Sequence, residues 1–236
     1  MLNILTAAGG SPRDAAASTR AGKHRINDRQ VSTVTSSRIL ILGTGNPGKA
    51  AEFRILLGRS GWRLVDLSAL EDIPDVEEQG ASYAENAVAK ASQLARHLHE
   101  CVLADDTGLE VDALDGQPGI HTARYAGHGA TPEANRRRLL DELADAPPER
   151  RTARFVCALA LADPLGEIRT EASGYLRGRI RREPAGSGGF GYDALFEIVE
   201  YHRTLAELGD VARAWLSHRG SAVGRLLPRL RECLTP

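Results

Sequence analysis

Residues 38–49, Arg-Ile-Leu-Ile-Leu-Gly-Thr-Gly-Asn-Pro-Gly-Lys, constrain the fold more than any other stretch. The apolar run Ile39 to Leu42 reads as a strand covered on both faces, which places it inside an α/β sheet. It breaks into a glycine-rich turn and then Pro47, whose fixed φ suits the first turn of a helix. Phe53, Leu56 and Leu57 give that helix a core-facing side. The turn itself has three readings. Gly43, Gly45 and Gly48 fit a dinucleotide-binding G-x-G-x-x-G, with Asp66 about twenty residues on. Gly43 to Lys49 fits a phosphate-binding G-x-x-x-x-G-K, with Ala50 where Ser or Thr is needed. In the third, Thr44, Asn46 and Lys49 hold a triphosphate in a cradle of another kind. A lysine at the mouth of such a turn, beside a helix N-terminus, suits phosphate.

With 236 residues the chain suits one domain or two small lobes. Its 30 basic and 31 acidic residues give a formal charge of -1, so no long-range field attracts nucleic acid or an anionic membrane. Cys101, Cys157 and Cys233 are far apart and lack CxxC spacing, which implies neither a disulfide framework nor a zinc site and fits a reducing cytoplasm. The longest apolar runs, such as Phe155 to Ala162, stop short of a membrane span. Residues 1–37 are small and polar, without sustained periodicity, and read as a disordered extension ahead of a domain over 38–236. Asp14, Asp28 and weak amphipathicity argue against a targeting peptide there.

Along the domain, Trp62 to Leu67 reads as a second strand and Glu71 to Gln79 as an acidic connection. Ser82 and Glu85 form a capping box for a helix carried by Ala84, Ala87, Val88, Ala91, Leu94, Ala95 and Leu98, with Asn86, Lys90, Gln93 and His97 on its polar face. Cys101 to Ala104 reads as a short strand ending abruptly in Asp105-Asp106-Thr107-Gly108, which would set both carboxylates at the carboxyl edge of the sheet. Leu109 to Gly129 reads as loop. Thr131 caps a helix opened by Pro132 and closed by Pro147-Pro148. Ala153 to Leu161 reads as a central strand, with Glu167 to Leu176 returning beside it. After the glycine-rich Gly186 to Asp193 come a short strand, Phe196 to Val199, a helical turn at Thr204 to Leu208, and a last helix over about 217–230, bent or broken near Pro228. The whole is α/β: a mixed central sheet with helices on both sides, in two lobes around a substrate cleft.

Candidate chemistry lies in two acidic pairs, Glu77-Glu78 and Asp105-Asp106, and in scattered cations at Lys49, Lys90, Arg213 and Arg219. Carboxylates suit a hard cation such as Mg2+. Phe190, an aromatic among glycines, either fills a core gap or offers a flat face to a base.

Together these stretches resemble the inosine-triphosphate pyrophosphatase (Ham1-like) family. The motifs are Thr44 to Lys49 with Glu52, Glu77-Glu-Gln-Gly80, Glu85-Asn-Ala with Lys90, Ala104 to Leu114, Pro118-Gly with Ala123-Arg-Tyr-Ala-Gly127, Gly188 to Asp193, and Ser217-His-Arg219. They come in the family's order across about 38–232. The resemblance implies a Mg2+-dependent enzyme, a homodimer, that converts ITP, dITP and XTP to monophosphate and pyrophosphate. It assigns the triphosphate to Thr44, Gly45, Asn46, Pro47, Gly48 and Lys49, the metal to Glu77 and Asp106, and the proton-accepting role to Asp106. Thr107, Lys90 and Phe190, Gly191, Tyr192 and Asp193 would contact substrate, and His218 and Arg219 the base. Arg213 replaces a usual lysine, keeping the charge and changing its geometry.

The chemistry agrees. Cleavage between the α- and β-phosphates needs a metal to neutralise the leaving pyrophosphate, cations along the phosphates and a carboxylate for water. Two further readings stay open on the sequence: a pyrophosphatase for modified pyrimidine nucleotides, and a non-catalytic nucleotide-binding module.

Overall fold

The computed structural model describes residues 38–76 and 79–232. The expected extension over 1–37, the acidic pair Glu77-Glu78 and Cys233 lie outside these residues.

Strand β1 (Ile39–Leu42) pairs in parallel with β2 (Arg63–Asp66) on one side and with the start of β3 (Cys101–Val111) on the other. Between β1 and β2, helix α1 (Pro47–Leu57) is capped by Asn46, whose side chain accepts the N–H groups of Gly48 and Lys49. Helix α2 (Tyr83–Leu98) starts at Ser82, which accepts from Glu85 N–H, while the Glu85 carboxylate reaches back to Ala81 N–H at 2.7 Å. It ends at His99 in the left-handed conformation. Past β3 come β4 (Pro118–Gly119), α3 (Pro132–Glu142) and the long antiparallel pair β5 (Thr152–Ala162) and β6 (Ile168–Ile180). The short strands β7 (Phe196–Ile198) and β8 (Arg203–Thr204) extend the sheet, and α4 (Asp210–Leu216) and α5 (His218–Glu232) close the chain. The sheet order is β2-β1-β3-β5-β6-β7-β8, with β4 also on β3.

Helices α1, α4 and α5 cover one face of this sheet through Phe53, Leu57, Ala214, Val223 and Leu226, and α2 covers the other through Ala87, Ala91 and Ala95. A second core, with Leu109, Val111, Leu139, Phe155 and Phe196, builds the far lobe. Because β3 and β5 are long enough to serve both cores, the two lobes share continuous strands. The cleft falls where β3 passes from one core to the next.

Several sequence expectations are corrected. Strand β3 does not stop at Ala104; it runs on to Val111, paired throughout with β5, so both aspartates lie inside a strand. The reason is neighbour length: β1 ends at Leu42, opposite Leu103, and beyond that point β3 loses its parallel partner while keeping the antiparallel one. The open edge therefore comes mid-strand. Strand β6 extends past Leu176 to Ile180 to pair with β7. Helix α5 is unbroken at Pro228, its apolar face of Ala222, Val223, Leu226 and Leu230 being fully buried; each such large side chain contributes roughly 1.5–3 kcal/mol, comparable with the cost of a helical proline. Helix α4 has no counterpart in the sequence reading.

Candidate active site

Alternation along β3 sends Asp105 and Thr107 to one face of the sheet and Asp106 to the other. Asp105 is buried, its Oδ2 accepts Lys49 Nζ at 2.9 Å and Thr107 Oγ1 at 2.9 Å, and Arg219 Nε lies 3.5 Å from it as an ion pair without a hydrogen bond. Burial alone would raise this carboxyl, but Lys49, Arg219 and Lys90 outweigh it and hold Asp105 well below the usual carboxylate range. Asp105 is thus the counter-ion of the cations. Asp106 faces the cleft, taking Thr107 N–H on Oδ1 at 2.8 Å and Asn86 Nδ2 on Oδ2 at 3.0 Å. Asn86 is oriented in turn by Gly80 N–H, which donates to its Oδ1 at 2.8 Å. A backbone N–H only donates, so the Asn86 amide must present its NH2 to Asp106.

Most N–H groups of the first glycine turn already have acceptors. Gly43 N–H donates to the Leu103 carbonyl, Thr44 N–H to Leu42, Asn46 N–H to Thr44 Oγ1, and Gly48 and Lys49 N–H to Asn46 Oδ1. It is a helix cap more than an open anion nest, and its projecting cation is Lys49. Asp66, the acid of the dinucleotide pattern, instead accepts from Ser68 N–H and pairs with Arg54.

The second glycine loop folds over the first. Asp193 Oδ2 accepts Phe190 N–H at 3.0 Å and Tyr192 donates its hydroxyl to the Thr122 carbonyl at 3.0 Å, while Arg136 holds the Gly191 carbonyl at 2.6 Å. Tyr192 and Asp193 are buried and shape the loop, so that Phe190 projects. Burial pushes the Asp193 carboxyl up to about 6, against the pull of Phe190 N–H and with a further push from Glu52.

At the start of α5, His218 stacks on Phe155 with ring centroids 4.7 Å apart and an interplanar angle of 15°. Both ring nitrogens are buried without a hydrogen-bond partner among the described residues, yet the ring lines the cleft. Burial and then Arg219 hold His218 well below its ordinary pKa, so the imidazole is neutral. Arg219 donates Nη1 to Glu52 at 2.7 Å and lies 5.2 Å from the Phe190 ring centroid. Tight packing fixes this helix end: a Cβ on Gly174 of β6 would fall 2.3 Å from the Ala222 nitrogen.

These elements surround a cleft of about 830 Å³. Of the residues singled out in the sequence, Thr44, Gly45, Asn46, Lys49, Lys90, Asp106, Thr107, Phe190, Gly191, Tyr192, Asp193, His218 and Arg219 line it. Lys90 also donates to the Asp105 carbonyl at 3.2 Å. Pro47 opens α1 and Gly48 sits under Phe190. Arg213 lies behind the wall, buried beside Glu52 at 3.5 Å, Asp210 at 2.8 Å and Asp193 at 3.9 Å. Glu77 is outside the described residues. Glu52 and Asn86 received no role from the sequence, although both are buried polar groups serving this site. Their signal is a carboxylate and an amide on helices at the cleft: Glu52 next to core-facing Phe53, Asn86 one turn before Lys90.

Across residues 40–229 the sequence matches the model of the Ham1 family. The chain belongs to the Ham1 family. It is 48% identical over 191 residues to the dITP/XTP pyrophosphatase of Rhodopirellula baltica, covering 81% of this chain and 92% of that one. It is 47% identical over 187 residues to the dITP/XTP pyrophosphatase of Exiguobacterium sibiricum, covering 79% and 94%. Among solved structures, a HAM1 protein from Coxiella burnetii matches with a TM-score of 0.73 at 35% identity, covering 83% of this chain and 99% of that chain. The Ham1 match includes both glycine loops, the β3 aspartates and the start of α5.

Proposed function

We propose that this chain hydrolyses non-standard purine nucleoside triphosphates, ITP, dITP and XTP, to the nucleoside monophosphate and pyrophosphate, removing deaminated purines from the nucleotide pool. One observation carries the reading: Asp106 and Lys49 line one cleft with Phe190 and the buried His218 ring, whose nitrogens have no hydrogen-bond partner among the described residues, so a water-handling carboxylate, a cation and a base-sized pocket share a single space.

A bound Mg2+ would neutralise charge on the phosphates and the departing pyrophosphate. Asp106 fits it by type and place: it is a carboxylate lining the cleft, held by Thr107 N–H and the Asn86 amide, and a hard cation takes oxygen anions. Mg2+ takes one or two carboxylates and fills its shell with phosphate oxygens and water, so Asp106 is a suitable protein contribution, with Glu77, outside the described residues, as the second carboxylate the resemblance implies. The same fixed carboxylate is the acceptor for a proton from water. Lys49 would meet the phosphates after exchanging part of its contact with Asp105. Phe190 offers its face to the purine. Arg219 presents only donors, which suits the C6 carbonyl of hypoxanthine or xanthine; the amino group of adenine would leave those donors unmatched.

Among the described residues no helix is long and apolar enough to cross a membrane. A cytoplasmic homodimer goes with the proposal, and sedimentation at working concentration tests the dimer. Pyrophosphate release across ITP, dITP, XTP, GTP and ATP with Mg2+ tests the function, with the first three expected to turn over fastest.

A further inference from the structure

The triphosphate reading leaves the phosphate charge incompletely met. Lys49 is already matched by Asp105 at 2.9 Å and must loosen that ion pair to bind phosphate, Lys90 donates to the Asp105 carbonyl at 3.2 Å, and Arg219, paired with Glu52 at 2.7 Å, is assigned to the base. The first glycine turn adds little, because its N–H groups from Gly43 to Lys49 largely have acceptors of their own.

Arg124 lines the same cleft. Its side chain is exposed, and among the described residues no ion pair, hydrogen bond or ring contact engages it. Its backbone is held firmly. Asn135, 5% exposed, donates to the Ala123 carbonyl at 3.0 Å and accepts Ala126 N–H at 2.7 Å, clamping the chain on both sides of Arg124. Thr122 is fixed as well: its hydroxyl bonds the Gly119 carbonyl at 2.6 Å and accepts Leu109 N–H at 2.8 Å. An exposed arginine is ordinarily a solvated charge. Here a pinned backbone delivers an unmatched guanidinium into a cleft, which is how binding groups are preorganised.

We propose that Arg124 is a further substrate-binding residue, a planar fork for oxygens of the phosphate chain. It rests on the pyrophosphatase reading, and names a cation that binds phosphate without giving up a carboxylate.

Inorganic pyrophosphate, with Mg2+ present, is the probe that isolates the phosphate contact. Calorimetric titration of wild type, Arg124→Gln and Arg124→Lys is expected to show about tenfold or greater loss of affinity in the glutamine variant, the value of a charged hydrogen bond. The lysine variant should fall between the two. Because the exposed side chain makes no ion pair, hydrogen bond or ring contact among the described residues, melting temperatures should coincide and KM for ITP should rise more than kcat falls. Pyrophosphate affinity of Arg124→Gln within twofold of wild type, or no measurable pyrophosphate binding by the wild type, would overturn the proposal. If the wild type bound pyrophosphate but did not hydrolyse ITP, the functional reading would fail instead, and the comparison of variants would still decide the role of Arg124.

Discussion

The Phe190 ring rests directly on Gly48. A Cβ built on Gly48 would fall 2.3 Å from Cδ1 and 2.7 Å from Cε1 of that ring, closer than real Cβ contacts come. Two glycine loops far apart in sequence therefore meet as one wall, and Gly48 is a glycine because an aromatic ring occupies the space of its side chain.

Gly48→Ala should displace Phe190. Inserting one methyl group where no room exists costs roughly 1–3 kcal/mol, taken up here by moving the ring away from the cleft and from Arg219. The expected outcome is a KM for ITP raised about tenfold, with a melting temperature only slightly lower. An unchanged KM would show that the ring position does not matter to binding.

Asn86 orients Asp106, and Gly80 N–H orients Asn86. Asn86→Ala removes one donor from the carboxylate; a hydrogen bond to a charged group is worth about 1.5–3 kcal/mol. Turnover should drop at least tenfold while KM for ITP changes little, because the residue acts on Asp106 and not on the base. Steady-state kinetics read both numbers, and a change in KM alone would contradict the assignment.

Asp193 gives a pH signature. Its folded pKa is about 6 against an ordinary 3.8, the raised case for an acid. Between about pH 4 and pH 6 the unfolded chain loses this proton while the folded chain keeps it, so the contribution of Asp193 to stability falls across that window and is level above it. The full effect is on the order of 3 kcal/mol. Asp193→Asn keeps an acceptor for Phe190 N–H and removes the titration. Urea unfolding at both ends of the window should show wild type losing stability relative to the variant as pH rises; a constant difference would refute the shift.

Much of the architecture was legible where local chemistry agrees with the fold: the apolar β1, Pro47 opening α1, and Ser82 with Glu85 opening α2. The extent of β3 was not, because Asp105, Asp106 and Thr107 look like the end of a strand unless each polar group has a partner, and those partners come from α1, α2 and α5. The polar face of α2 misled in a similar way. Asn86 and Lys90 share a face with solvent-exposed Gln93, yet they turn toward β3 and the cleft. Helix α4 escaped because it is short, has no side-chain cap at Gly209 and leaves Val211 and Trp215 exposed. For the site, motif order revealed which residues belong together. Composition and spacing leave Asp105 and Asp106 alike and only the resemblance singled out Asp106; the physical difference, Asp105 neutralising cations and Asp106 facing the cleft, depends on the two faces of one strand.

The central claim is that Asp106 directs water to cleave ITP between its α- and β-phosphates. Product analysis by 31P NMR of ITP incubated with wild type and Asp106→Asn in Mg2+ tests it most directly. The account expects IMP and pyrophosphate from the wild type, and from the variant, still folded, the same products orders of magnitude more slowly. IDP with orthophosphate, or near-normal turnover by Asp106→Asn, would contradict it.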